Sequence, residues 1–364
     1  MMRLSDSENA VLDRLVQGSV ARVGPFGQGG FDTCSVMFLS ADFDSGTTQD
    51  RTGAPGPFGR RWGKWAEIGT AHKPLRSLGA LTALQGIGAR GIVHMDFQDA
   101  RVLGTEARPL PAPVLCYCRR PGARNVVLWP LPRYHDLDTQ RFLGKTPPDM
   151  LTFDDKRDAV VWRGALSGRT RPTRPGGRNC MHLIAALETA PTTRDGAPIL
   201  AELRKNLRFG MVFDRATAPD FDLGLTCDDR IAASLARHGV GYVVKPSRPM
   251  SWQRQFRYIL SVRGNDTGSN FIPALDSNSV VLREEDGWEL FYSAVIRPWE
   301  HYIPLAPLLT DLDEKLDWAR ANPAECRAIA ARARALCALL GDARLRDLHL
   351  RAVHAHYADI ARRA

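Results

Sequence analysis

A chain of 364 residues is longer than one ordinary hydrophobic core supports, so two domains are expected. Its 44% hydrophobic and 24% charged residues are globular values, and no apolar run approaches the twenty residues of a membrane helix, which argues against disordered, fibrous and membrane-spanning classes. The net charge of +9 points to anionic partners, among which nucleic acid, an anionic membrane surface and a phosphorylated ligand compete.

The first eighteen residues carry acids where a signal peptide needs its apolar centre, so no export is expected and a cytoplasmic protein is. Helical spacing of Val11, Leu12, Leu15 and Val16 predicts a helix over 5–20 with Asp6 or Ser7 as N-cap. Residues 35–43 read as a strand, and 42–61, rich in Gly, Pro, Thr and Asp, as a mobile loop. A helix over 75–84, a strand over 91–100 that ends in carboxylates, and strands over 114–118 and 126–128 complete the first half. Such alternation implies a largely parallel sheet. Residues 130–156 sustain no period and read as the connection between domains.

The second half reads as a strand over 159–162, a basic loop, a helix over 181–187 and strands over 241–244 and 258–262. Then come the turn RGNDTGSN (263–270), a helix near 270–277, a strand over 279–282 and an aromatic run over 288–302. A polar, glycine-bearing turn directly after a strand is where α/β folds place ligands, with backbone N–H groups and a helix N-terminus aimed at an anion. After Asp311 the pattern is helical to the end. The expected domains are 1–150, 151–335 and a C-terminal helix over 336–364.

Seven scattered cysteines do not form a disulfide framework, and the close pair Cys116 and Cys118 reads as buried strand residues rather than metal ligands. Arginines 163, 169, 171, 174 and 178, separated by Gly, Pro, Ser and Thr, suit a phosphate-lined cleft or a leaflet-facing surface better than a helix tracking a duplex. No complete dinucleotide fingerprint, phosphate loop, nucleophile elbow or H-E-x-x-H is present. D-x-D pairs at Asp42/Asp44, Asp136/Asp138, Asp220/Asp222 and Asp311/Asp313 are too many to mark one metal site and read as turns and caps.

Four features in order, WRG (Trp162, Arg163, Gly164), the RGND-x-x-x-N turn (Arg263 to Asn270), DSNSVVL and PWEHYIPL followed by DLDEKL, resemble glycosyltransferase family 90. That family takes in bacterial lipopolysaccharide glycosyltransferases, fungal capsule-associated proteins and animal protein O-glucosyltransferases. The resemblance covers about 161–323, and in the first half GIVHMDFQDA, PAPVLCYCRR and VVLWPLP resemble the family's strand with the catalytic aspartate, its next strand and its W-P segment.

The resemblance implies a GT-B-like α/β fold, two Rossmann-like domains facing a cleft. It also implies inverting, metal-independent transfer from a UDP-sugar to an acceptor hydroxyl, with no cofactor. Such chemistry needs a carboxylate to take the acceptor proton and positive charge on the departing diphosphate. Asp99, favoured over Asp96, fills the first role; Arg163, Gly164 and Arg169 lie against the nucleotide. Gly264, Asn265, Asp266, Gly268 and Asn270 form the diphosphate turn with Arg263, and Asn270 stands where animal members carry an arginine. Glu300, with Glu284 or Glu285 as an equal candidate, is a carboxylate for the donor sugar; His301, read as a core histidine, ranks below Arg163.

The leading expectation is transfer to lipopolysaccharide or another surface glycan, with peripheral contact to an anionic membrane and no nucleic acid. A protein O-glycosyltransferase and a non-catalytic polyanion-binding scaffold are the alternatives.

Overall fold

The computed structural model describes residues 4–132, 135, 147–171 and 177–363. Asp136, Asp138 and Arg174 lie outside them. In chain order the protein forms α1 (Asp6–Val20), β1 (Leu39–Asp42), β2 (Thr47–Gln49), β3 (Pro55–Arg61), β4 (Lys64–Glu67), α2 (Pro74–Gly86), β5 (Ile92–Met95), β6 (Val114–Cys116), β7 (Cys118–Arg119) and β8 (Val126–Leu128). There follow β9 (Arg157–Ala165), α3 (Cys180–Thr189), α4 (Thr193–Leu203), α5 (Leu207–Arg215), β10 (Phe221–Thr226), α6 (Asp229–Arg237), α7 (Met250–Gln253), β11 (Phe256–Ser261), α8 (Phe271–Leu275) and β12 (Val280–Glu284). The chain closes with β13 (Glu289–Leu290), β14 (Ile303–Leu305), α9 (Leu312–Ala321), α10 (Pro323–Gly341) and α11 (Ala343–Ala361).

These elements make a mixed α/β protein of two compact units, one of residues 1–145, 287–297 and 336–364, the other of 146–286 and 298–335. The short segment 287–297 joins the first unit because β13 pairs antiparallel with β7, where Arg119 Nε donates to Glu289 at 2.8 Å. None of its described helices is long and apolar enough to cross a membrane.

The first unit holds a sheet ordered β4-β3-β2-β1-β5-β6-β8. It is largely antiparallel, not largely parallel as the alternation suggested: β1 to β4 form hairpins, β1 runs antiparallel to β5, and β5, β6 and β8 alone run parallel. The expected loop over 42–61 contains β2 and β3. Burial of Phe58 overrides the Gly/Pro composition there, since Thr48 Oγ1 donates to Phe58 O (2.7 Å) and accepts from Phe58 N (3.2 Å). Glycine is needed at 56, where a Cβ would stand 2.4 Å from Thr48 Oγ1. α1 starts from Ser5, whose side chain and Glu8 form a capping box one residue before the expected cap. All seven cysteines are free, and Cys116 and Cys118 are buried.

The second unit is built on an all-parallel sheet ordered β10-β9-β11-β12-β14. Val160, Val161 and Trp162 are buried on consecutive positions, as a parallel strand covered on both faces requires. Tyr258, Leu260, Leu282 and Leu305 extend the same core, each burial contributing roughly 1.5–3 kcal/mol. The expected strand at 241–244 is a 3-10 turn; Gly241 sits 3.1 Å from Ala236 at a Cβ position, and Val244 alone bridges to Leu225. The helix expected near 270–277 is the five-residue α8.

Candidate functional site

In the parallel sheet the connection from β9 runs to β10 on one side, and the chain then crosses back to place β11 on the other. The reversal falls between β9 and β11, and the crevice beyond the carboxyl ends of two such strands is where open α/β sheets bind ligands. Two turns meet there. A Cβ on Gly168 would lie 2.8 Å from Gly264 O, and one on Gly264 would lie 2.3 Å from Ser167 Oγ. Only glycine permits this approach, and Gly168 also has φ +91°.

Arg208, near the start of α5, holds the two turns together. Its Nε donates to Arg263 O (3.0 Å), Nη1 to Ala165 O (2.9 Å) and Ser167 Oγ (3.0 Å), and Nη2 to Val262 O (3.1 Å). Burial pushes its pKa down to about 10, with Asp266, Cys180 and Glu284 opposing, so it stays cationic at neutral pH. Asn206 caps α5 through Phe209 N at 3.1 Å and donates its Nδ2 to Ser167 O at 3.0 Å, coupling the helix start to the first turn.

The second turn is fixed from below. The side chain of Glu284, at the end of β12, is fully buried. Its Oε2 accepts from Arg263 N (3.1 Å), while Oε1 accepts from Leu308 N (3.2 Å) and lies 3.3 Å from Arg263 Nε. Leu308 has φ +80°, so that backbone is held in a conformation bulky residues avoid. Arg171 adds a buried Nη2 with no hydrogen-bond partner among the described residues. Burial, then the charge of Arg263, lowers its pKa, and Glu284 raises it.

The expected site residues divide. Arg263, Gly264, exposed Asn265, Asp266, Gly268 and Asn270 share the turn after β11. Within it Asp266 Oδ1 accepts from Thr267 N (2.6 Å), and Gly268 is required because a Cβ would stand 2.4 Å from Ser261 Oγ. Asn270 Nδ2 donates to Leu260 O (2.9 Å), so it ties the turn to its strand. α8 is too short to carry a helix dipole of consequence.

Arg163 faces the β10 side, with Nη2 on Asp222 (2.8 Å), Nη1 on Asp222 O (2.6 Å) and its guanidinium 4.8 Å from the Trp252 ring; Lys245 shares Asp222 at 2.7 Å. Gly164 answers to packing, since a Cβ would lie 2.4 Å from the Trp162 ring. Arg169 donates to Gly177 O and lines a different cavity, of about 390 Å³, with Arg178, Asn179 and His182. Exposed Glu285 accepts from Tyr302 Oη (2.8 Å), and Glu300 lies 3.8 Å from His301 Nε2.

Asp96 and Asp99 belong to the first unit. Asp96 is buried and engaged, accepting from Ser35 N (2.7 Å), Ser35 Oγ (2.6 Å) and Gln98 N (3.1 Å). Asp99 pairs with Lys73 (2.7 Å) and Arg76 (2.5 Å), accepts from Tyr117 Oη (3.2 Å), and lines a cavity of about 340 Å³. Burial pushes its pKa up, but the hydrogen bonds and charges of Lys73 and Arg76 outweigh it and hold the carboxyl below the usual range. The D-x-D pairs are turn and ion-pair residues where described: Asp42 accepts from Asp44 N (2.9 Å), Asp220 pairs with Arg320 (2.6 Å) and Asp313 with Arg215 (2.9 Å).

Residues 216–342 match the family described as Glycosyl transferase family 90. The match covers less than half of the chain. The matched stretch contains the turn after β11, Glu284 and Leu308, while Ser167, Arg171 and Arg208 precede it. The chain is 37% identical over 83 residues to uncharacterized protein 035R of Invertebrate iridescent virus 3, covering 22% of this chain and 8% of that protein. It is 34% identical over 77 residues to protein O-glucosyltransferase 3 of Homo sapiens, covering 21% of this chain and 15% of that one. The chain thus spans a small part of the curated relatives it matches. Among solved structures, Anabaena HepE in complex with UDP-glucose aligns at 12% identity over 70% of this chain and 65% of that chain, with a TM-score of 0.33.

Two members of the crevice, Arg208 and Ser167, were not singled out as site residues, whereas Arg171 was read among the arginines that suit a phosphate-lined cleft. Arg208 did leave a trace, a cation in the first turn of a helix, where the dipole disfavours it.

Proposed function

We propose that this protein is a GT-B glycosyltransferase that moves a sugar from a UDP-linked donor to a hydroxyl of a saccharide acceptor, with inversion and without a metal. The observation that carries the reading is the pair of turns brought together at the switch point of the parallel sheet by Arg208, inside and beside the stretch that matches family 90. Their N–H groups, with Arg263 and Arg171, supply donors and positive charge for a diphosphate, the group that takes up charge as the glycosidic bond breaks.

In this reading the acceptor oxygen attacks the anomeric carbon, the bond to the diphosphate breaks, and the hydroxyl proton passes to a carboxylate. Both carboxylates are hydrogen-bonded through both oxygens, but Asp99 suits that step better than Asp96, because it borders a cavity and is partly exposed whereas Asp96 is buried. The acceptor we favour is lipopolysaccharide or another surface glycan, reached from the cytoplasm with the basic surface against an anionic leaflet. A protein acceptor is the second reading, favoured by the likeness to proteins named protein O-glucosyltransferase.

Screening UDP-sugars for release of UDP, with and without saccharide acceptors, tests the proposal. One UDP-sugar turned over faster with a saccharide present supports it; no UDP release from any of them contradicts it, and acceleration by peptides alone selects the second reading.

A further inference from the structure

Apart from the crevice, the first unit holds a pair of arginines whose charge the protein itself leaves uncompensated. Arg51 Nη1 donates to Cys34 O at 2.9 Å, and Arg101 donates to the neighbouring carbonyl, Thr33 O. Two guanidinium groups are therefore fixed on consecutive peptide units, and both border the cavity of about 340 Å³ that includes His72, Gln98 and Asp99. Among the described residues neither arginine makes an ion pair.

The carboxylate that borders this cavity is already engaged. Asp99 carries Lys73 and Arg76, Asp96 holds Ser35 and the Gln98 amide, and Asp50 Oδ1 accepts from Thr52 Oγ1 (2.6 Å) and Thr52 N (2.8 Å) in its own turn. Two cations border one cavity, and an oxyanion is the group that answers both at once. Two further polar atoms lack partners: Arg101 Nε, a donor, and Gln98 Oε1, an acceptor, are both buried without hydrogen bonds. Between Asp99 and Arg101 sits Ala100 at φ +53°, a strained turn that directs its two neighbours to one cavity.

We propose that Arg51 and Arg101 form an oxyanion site that binds a phosphate or carboxylate group carried by a saccharide. Arg101 Nε and the free guanidinium nitrogens donate to the oxyanion, and Gln98 Oε1 accepts from a sugar hydroxyl. Lying on the cavity that Asp99 borders, the site makes a charged saccharide the acceptor class. That last step rests on the proposed transferase function; the oxyanion site does not.

Titration of the intact protein with glucose 6-phosphate, glucuronic acid and glucose at constant ionic strength, read by amide shifts and thermal midpoint, tests it. Expected is saturable binding of one or both charged sugars, with shifts at Ser35, Gln98 and Ala100, at least tenfold weaker in R51M and R101M, while their response to UDP is unchanged. Preference for the phosphate or the glucuronate identifies the oxyanion. Should either variant fail to fold, shifts in the unmodified protein decide: perturbation away from this cavity overturns the site. Binding of glucose equal to that of the charged sugars, undiminished affinity in both folded variants, or displacement of the sugars by a tighter-binding acidic peptide also overturns it. A protein that binds charged sugar here but ignores UDP keeps this site and loses the transferase reading.

Discussion

Arg208 Nε donates to the carbonyl oxygen of Arg263 at 3.0 Å, so a residue from the start of one helix fixes the first residue of the turn after β11. The same guanidinium holds Ala165 O and Ser167 Oγ, which belong to the end of β9 and the turn beyond it. Its charge is therefore used to set the geometry of two turns. Arg208→Ala is expected to lower stability by about 3 kcal/mol, since several partly buried acceptors lose a charged donor at once. Arg208→Lys, which keeps charge but not the fork, is expected to lose at least tenfold in UDP affinity with a smaller loss of stability, measured by urea unfolding and calorimetric titration.

Glu284 and Glu285 are neighbours with opposite environments. Glu284 holds Arg263 and Leu308 N from a fully buried position, whereas Glu285 is exposed on Tyr302. Glu284→Ala leaves Arg263 without its partner and is expected to cost about 3–5 kcal/mol and to abolish UDP binding. Glu285→Ala is expected to change stability by less than about 1 kcal/mol. Equal effects of the two substitutions on donor binding would contradict the placement of Glu284.

Gly168→Ala tests the close approach. It forces a Cβ against Gly264 O at a left-handed backbone position, so it is expected to destabilise by roughly 1–3 kcal/mol and to weaken UDP binding. Gly239→Ala, also at positive φ but with nothing within 4 Å of its Cβ, controls for backbone strain alone and is expected to leave UDP binding intact.

The histidines of the first unit predict an acid response. Burial pushes His94 and His349 down to about 4, below the unfolded value near 6.5, so the folded state resists protons that the unfolded state takes. Their stabilising contribution is present above pH 6.5 and is lost as pH falls toward 4, at about 1.4 kcal/mol per pH unit for each histidine. His349, 2% exposed, should reveal this most clearly: unfolding free energy measured against pH is expected to be shallower over that window in H349Q.

Asp99 acts in the same direction, at lower pH. Its carboxyl is held low against the pull of burial by Lys73 and Arg76, so it is ionised at neutral pH, and its contribution to stability fades as pH falls below about 4. Arg76→Met is expected to raise that pKa and shift the acid limb of kcat/KM to higher pH. Asp99→Asn is expected to abolish transfer and leave UDP binding unchanged.

Elements with strong local signals were legible in the chain. The helix with Val11, Leu15 and Val16 on one face, the strand at Val126–Leu128 and the turn after β11 follow from periodicity and turn chemistry. Residues 42–61 were not, because a Thr48 hydroxyl in place of ladder bonds and the burial of Phe58 are tertiary facts that a Gly/Pro-rich composition hides. At the crevice, the turn near Arg263 was readable, but Arg208 comes from a helix 55 residues earlier, and no local pattern reveals which loops an arginine will span. Arg163 shows the same limit: at the end of a strand next to glycine it reads as a phosphate ligand, and its pairing with Asp222 on the adjacent strand is a tertiary contact that no local pattern reveals.

Backbone amide shifts on titration with UDP test the central proposal most directly. Saturable binding with the largest shifts at Ser167, Gly168, Arg263 and Gly264, and its loss in Arg208→Lys, is the predicted result. No saturable binding, or shifts confined to residues away from those two turns, would contradict it.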